Sequence, residues 1–166
     1  MSRSSWWGSR LRQFRAYLRA KVADGERAEL TTWLSPDQLA VFDGMHVADK
    51  RHGLDVVETL RAEGVTDPDL LMAGLLHDAG KGPDVGLWPR VAWSLGEKYG
   101  DWIPASTRRL PGFRRALDRL RDHAELSAAL ASQAGCSRRT VELIRNQADP
   151  VDPEAGRLLL HADEAN

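Results

Sequence analysis

His77-Asp78-Ala79-Gly80-Lys81 sets an imidazole beside a carboxylate, with a glycine and a lysine close behind. The stretch that leads into it, Leu70-Leu71-Met72-Ala73-Gly74-Leu75-Leu76, has no polar side chain. A helix that is apolar on every face is a buried helix. Ending it on an imidazole and a carboxylate takes two ionisable groups out of water, which is costly unless a charge compensates them. A divalent cation is the simplest compensation. Mixed nitrogen and oxygen ligation suits Mn, Fe, Ni, Co, Zn or Mg in an open, water-bearing site rather than a closed Cys-rich zinc site. Gly80 is then expected to let the backbone turn sharply away.

Neighbouring residues on a helix point about 100° apart. His77 and Asp78 can therefore share an ion only over the helix flank, and its other positions must be filled from elsewhere. Three more ionisable residues sit on apolar stripes. His52 repeats with Met45, Ala48, Val56 and Leu60, and His123 with Leu120, Leu126, Ser127 and Leu130. Asp163 follows Leu159 and Leu160 at helical spacing. Taken singly, each reads as a hydrogen-bonded core histidine or as an aspartate that caps a helix or pairs with arginine. Taken together, on several helices beside a His-Asp pair, they favour one shared centre. His46 falls off the His52 stripe and His161 projects near Arg157 and Leu158, so both are expected in solvent.

The elements that must position these residues read as helices throughout, since strand signals are nearly absent. Helical patterns run over 9–22, 45–63, 113–134 and 138–147. Ser35-Pro36-Asp37-Gln38, Asp67-Pro68 and Asp152-Pro153-Glu154 are helix starts, the last leading towards Asn166. The segments 80–89 and 100–112, rich in Gly and Pro, read as loops. The expectation is an all-α, single-domain bundle of about seven to nine helices around one core. Residues 1–44 would form a helical extension packed on the domain of residues 45–166.

With 166 residues, 42% of them hydrophobic and 28% charged, the chain has the composition of one globular domain. A net charge of −1 gives no overall field for nucleic acid, so no specific nucleic-acid binding is expected. Basic residues cluster twice: Arg3, Arg10, Arg12, Arg15, Arg19 and Lys21 near the N-terminus, and Arg108, Arg109, Arg114, Arg115, Arg119 and Arg121 ahead of His123. The second cluster could be an approach path for an anion or a solvated face. The first, with Trp6, Trp7, Phe14, Tyr17 and Leu18, is compatible with a membrane-surface helix, but its apolar stripe is only moderately wide, so docking on the bundle is the preferred expectation. The single Cys136 excludes an internal disulfide and, lying just before the N-cap residue Ser137, reads as structural. No apolar run is long enough to span a bilayer and no uninterrupted signal-peptide core is evident, so a cytoplasmic protein is expected.

The order His52, His77-Asp78, Asp163 resembles the HD superfamily of metal-dependent phosphohydrolases. The resemblance covers about residues 45–166 and rests on DKRHGLDVVETL, DPDLLMAGLLHDAGKG, DHAELSAALASQAG, VELIRNQ and LLLHADEAN. It implies a helical HD-type domain in which His52, His77, Asp78 and Asp163 bind one metal ion. For members with a second ion it implies additional histidines bridged to the first site by the Asp of the pair. His123 stands where the first of these is expected, and Asn146 stands where the second would be.

The chemistry implied is hydrolysis of a phosphomonoester or phosphodiester of a small anionic substrate, with a nucleotide as one candidate, through a metal-activated water. Asp78 would ligate the ion and orient that water. Lys81 would place a positive charge against the phosphate, and Arg51 and Arg145 could add phosphate contacts, with salt bridging as the plainer reading. His123 would bind a second ion or protonate the leaving group. Trp88, Trp93 and Trp102 could stack a base, although at least two of them are expected to be packing aromatics. The alternative is a catalytically degenerate HD-type module that binds nucleotide or regulates, for which Asn146 is the chief support. A purely structural hydrogen-bond network ranks last.

Overall fold

In a computed structural model that describes residues 19–166, those residues form nine α-helices and one short 3₁₀ turn, with no strand among them. The helices are α1 (Asp24–Leu30), α2 (Pro36–Asp43), α3 (Val47–Ala62), α4 (Pro68–Leu76), α5 (Leu87–Tyr99), α6 (Trp102–Thr107), α7 (Phe113–Gln133), α8 (Arg138–Arg145) and α9 (Ala155–Ala165), with the 3₁₀ turn at Ala79–Lys81 between α4 and α5. Residues 1–18, which carry most of the helix expected over 9–22, lie outside the described residues. No helix among the described residues is long and apolar enough to cross a membrane.

α4 is the axis of the bundle. Asp67 caps it by accepting from the Asp69 amide, Pro68 occupies its first turn, and every residue from Leu70 to Leu76 is buried. α3, α8 and α9 all lie against it. The crossing with α3 is close: a Cβ on Gly53 would stand 2.5 Å from the Leu75 carbonyl oxygen. That approach, one residue beyond His52 and two before His77, is what brings the two imidazoles together.

α7 makes the second close crossing, against the 3₁₀ turn. A Cβ on Gly80 would meet the His123 carbonyl oxygen at 2.3 Å and the Ser127 amide at 2.6 Å. The expected role of Gly80 is therefore corrected. Its φ is not positive; the left-handed residue is Gly82, at φ 71°. Gly80 is needed because two backbones touch there, and Gly82 makes the turn.

The main core joins Leu30, Leu34 and Phe42 with Val56, Leu60, Leu75, Leu76, Ile144 and Leu159. Helices α1 and α2 thus contribute to the same core as the helices after residue 45. A second, smaller cluster of Val85, Ala116, Leu117 and Leu120, flanked by Trp93 and Phe113, corrects the expectation of a single core. It sits beneath residues 82–99, along the N-terminal half of α7.

The segments read as loops contain most of the 3₁₀ turn, the first three residues of α5 and all of α6. Pro89 and Pro104 each fall at the third position of these helices, where the amide that proline lacks has no partner inside the helix in any case. Gly96 lies against the Pro104 ring, so the two breakers mark a helix–helix contact. The capping reads differ in one place. Ser35 and Gln38 cap α2 reciprocally and Ser137 caps α8. Asp152 accepts from the amides of Glu154 and Ala155, but α9 begins only at Ala155. His46 is not in solvent: half-buried, it caps α3 by accepting the Ala48 amide on Nδ1 at 3.1 Å.

The close crossing at Gly80 makes a direct prediction. Gly80→Ala should destabilise the fold by about 1–3 kcal/mol or more, because backbone rather than a flexible side chain fills the space. Gly25→Ala, on an exposed face of α1 with nothing within 4 Å of the new methyl, should be neutral or slightly stabilising. Chemical denaturation of both variants beside the wild type measures the difference.

Candidate metal centre

Four helices and the 3₁₀ turn deliver one side chain or more each to a single place. His52 Nε2 lies 2.7 Å from Asp163 Oδ1, and His77 Nε2 lies 3.3 Å from the same oxygen. The two imidazoles meet edge to face, 5.1 Å between ring centres. One ligand atom each from His52, His77 and Asp163 lies within 4.8 Å of the others, a spacing that could hold a metal ion. Asp78 stands beside this group. Its Oδ1 is 3.7 Å from His77 Nε2 and 3.7 Å from His123 Nε2, while Oδ2 accepts from Lys81 Nζ at 2.5 Å. The carboxylate therefore faces an imidazole on each side and is neutralised by the lysine three residues on.

The chain leaves the helix here, which is why neighbours in sequence reach one centre. His77 caps the C-terminus of α4 and Asp78, at φ −100° and ψ 3°, opens the 3₁₀ turn. Three bonds fix that departure. The Gly80 amide donates to Ser127 Oγ at 2.8 Å, Arg119 Nη1 donates to the Gly80 carbonyl at 3.1 Å, and Gln147 Nε2 donates to the His77 carbonyl at 3.3 Å. Ser127 is fully buried on α7 one turn beyond His123.

Tautomers follow from the hydrogen bonds. His77 Nδ1 lies 2.9 Å from the Gly74 carbonyl and His123 Nδ1 lies 2.7 Å from the Leu120 carbonyl. A carbonyl only accepts, so Nδ1 carries the hydrogen in both rings and Nε2 keeps its electron pair when the ring is neutral. His77 Nε2 is completely buried and has no hydrogen-bond partner, since its approach to Asp163 is outside bonding geometry. Buried polar atoms are nearly always satisfied. An orphaned nitrogen donor facing carboxylates fits a cation, and this is the observation on which the donor set passes as a metal site.

The electrostatics point the same way. Burial disfavours the His77 imidazolium, but Asp78 and Asp163 outweigh it and raise the ring from 6.5 to about 9. Burial likewise acts to raise Asp163 and Asp78. The hydrogen bond from His52 and the charge of the His77 and His52 rings nonetheless hold Asp163 well below the usual carboxylate range, and Lys81 and the imidazoles do the same for Asp78. His123 is lowered by burial, against the pull of Asp78, and so is neutral near pH 7.

Other expected site residues lie elsewhere. Arg51 donates to Glu26 and Asp55, and the exposed Arg145 donates to Glu125. Asn146 is turned back on its own helix, donating to the Glu142 carbonyl at 2.8 Å. These three side chains are engaged with neighbours rather than with the centre. His161 is exposed beside Glu63. Of the three tryptophans, Trp93 packs on the smaller cluster, but Trp88 and Trp102 are 70% and 68% exposed, which corrects the reading of at least two as packing aromatics.

Sequence reasoning missed Asp49, one turn before His52, which is buried and takes both ends of the Arg90 guanidinium at 2.7 and 2.6 Å while Arg90 Nε donates to the Val85 carbonyl. This bridge ties residues 82–99 to the helix that carries His52. The signal was an aspartate close to an inward-facing histidine. Two surface grooves, one lined by Asp67, Arg139 and Asp152 and the other by Glu26, Trp33 and Arg61, lie away from the centre. Their charged groups are largely paired with one another, so the chemistry points to the histidine cluster. No family model, curated protein or solved structure matches this chain.

The raised His77 sets a pH dependence. In the metal-free protein the folded state holds the His77 proton more tightly than the unfolded chain, so this stabilisation is complete below pH 6.5 and is lost as pH rises through about 9. The depressed Asp163 acts oppositely, stabilising above pH 3.8 and losing its effect as pH falls below it. Thermal melts in chelator should therefore peak between pH 3.8 and 6.5 and decline towards pH 9, and His77→Gln should flatten the basic limb. Metal affinity, measured by titration, should rise over the same basic interval because the ion must displace that proton.

Proposed function

We propose that the chain is a metal-dependent phosphohydrolase of the HD type, hydrolysing a small phosphoester. The buried, unpartnered Nε2 of His77 between Asp78 and Asp163 carries this reading. His52, His77 and Asp163 would hold the ion, with Asp78 as the fourth donor. Bound there, a divalent ion lowers the pKa of a coordinated water and polarises a phosphoryl oxygen.

The rest of the work falls to side chains. Asp78 lies between His77 and His123 and orients the water. Lys81, paired with Asp78, would turn its charge towards the phosphate if that carboxylate ligated an ion, and would balance the charge that develops in the transition state. His123 is held neutral by burial with Nε2 facing Asp78, so it takes a proton at that atom and returns it to the leaving oxygen. Ser127 and Gln147 keep the turn and the His77 backbone in register with α7.

Asn146 favours a second reading on its own observation. Its amide nitrogen is spent on the Glu142 carbonyl, and an asparagine where the resemblance expects a histidine supports a module that binds without turnover.

Metal quantification of the purified protein, followed by a phosphoester screen with Mn, Ni, Co, Mg or Zn, separates these readings. The proposal expects bound metal and turnover, with both lost in His77→Ala. Asp78→Asn and His123→Gln should keep the fold and lower kcat by about 10²- to 10⁴-fold. Nucleotide binding by calorimetry without product would favour the binding module. A stably folded, metal-free protein without turnover ends the enzymatic reading.

A further inference from the structure

Resting on the proposed phosphoester chemistry, we infer that Arg119 is a substrate-binding residue and that the substrate carries a second anionic group about 6 Å, one helical turn, beyond the phosphate under attack.

The cations near the centre divide into two kinds. Arg51 and Arg145 are neutralised by carboxylates, as are Arg108 and Arg121, which bond Asp118 and Asp122 on one face of α7. Arg119 lies on a different face and has no carboxylate partner among the described residues. Its one hydrogen bond among the described residues, from Nη1 to the Gly80 carbonyl, uses one of five guanidinium donors.

That contact is a built seat. The guanidinium rests directly on Gly82, where a Cβ would come within 2.4 Å of Nη1, and Gly82 is the residue whose φ of 71° turns the chain. Gly80 thus makes room for the α7 backbone and Gly82 makes room for the Arg119 head. The seat lies at the turn that carries Lys81. It is also one helical turn from His123, with Arg115, exposed and without a carboxylate partner among the described residues, a further turn out. Lys81 and His123 serve the reacting phosphate, so the next charge on the same flank meets whatever the substrate carries one turn away. An arginine fork with free donors matches a phosphate or carboxylate there.

Calorimetry on the metal-loaded protein tests this with two non-hydrolysable probes, butylphosphonate and 4-phosphonobutanoate, which differ by a terminal carboxylate. Wild type should bind the dianionic-ended probe about tenfold more tightly, Arg119→Gln should abolish that preference while leaving butylphosphonate affinity unchanged, and Arg119→Lys should retain part of it. Arg114→Gln, on the opposite flank of α7, should retain all of it. Equal affinity of wild type for the two probes overturns the inference and leaves the phosphohydrolase reading standing. An equal loss of both probes in Arg119→Gln also overturns it, because that result marks Arg119 as only a brace for the turn. Binding of neither probe by wild type overturns the inference together with the phosphate site it rests on.

Discussion

The arrangement of this protein turns on one electron pair, that of His77 Nε2. The ring is completely buried at the end of α4 and its other nitrogen is committed to the Gly74 carbonyl. What remains is an acceptor in a dry place, facing the carboxylates of Asp78 and Asp163. Left alone this is costly. A proton relieves it, which is why the ring is pushed up to about 9, and a divalent cation relieves it in the same place with more charge. Proton and metal would thus compete for one site. The acidic residues around it are not surplus polarity; they are what makes either occupant favourable.

Bringing that pair into company with donors from other helices requires backbones to touch. Gly53 lets α3 lie on Leu75, and Gly80 lets the 3₁₀ turn lie on α7. Each glycine is next to or near a site residue, so the close crossings and the chemistry are one feature of the fold. The Gly53 crossing sets the His52 and His77 rings 5.1 Å apart, and Asp163 joins them from α9. Ser127 and Gln147 then convert proximity into register by bonding the backbone on both sides of Asp78.

Much of this was readable because burial writes itself into periodicity. The apolar run 70–76 and the stripes carrying His52, His123 and Asp163 led to residues that do converge, and the proline-led starts at Ser35 and Asp67 cap real helices. The failures are equally physical. Pro89 and Pro104 look like breakers unless the helix start is known, so the first turn of α5 and the whole of α6 read as loops. Gly80 looks like a turn residue, because a chain shows that a glycine is present but not whether φ or a distant backbone demands it. The arginines were the hardest: Arg51 and Arg145 sit beside ligand positions in sequence, yet their partners are Glu26, Asp55 and Glu125. Pairing across helices leaves no periodic trace.

The same accounting of partners gives the centre its polarity. Along α7, Asp118 and Asp122 cancel Arg108 and Arg121, while on the flank that runs to His123 the positive charge is left uncancelled. Arg90 shows the contrasting case, its guanidinium spent on Asp49 and the Val85 carbonyl to hold residues 82–99 in place. A guanidinium whose donors are used within the protein fixes structure, whereas one that is seated but has donors to spare retains attraction for something outside. In a molecule whose formal charges nearly balance at −1, such a charge at the turn of Lys81 is what the proposed anionic substrate would meet at this end of the histidine cluster.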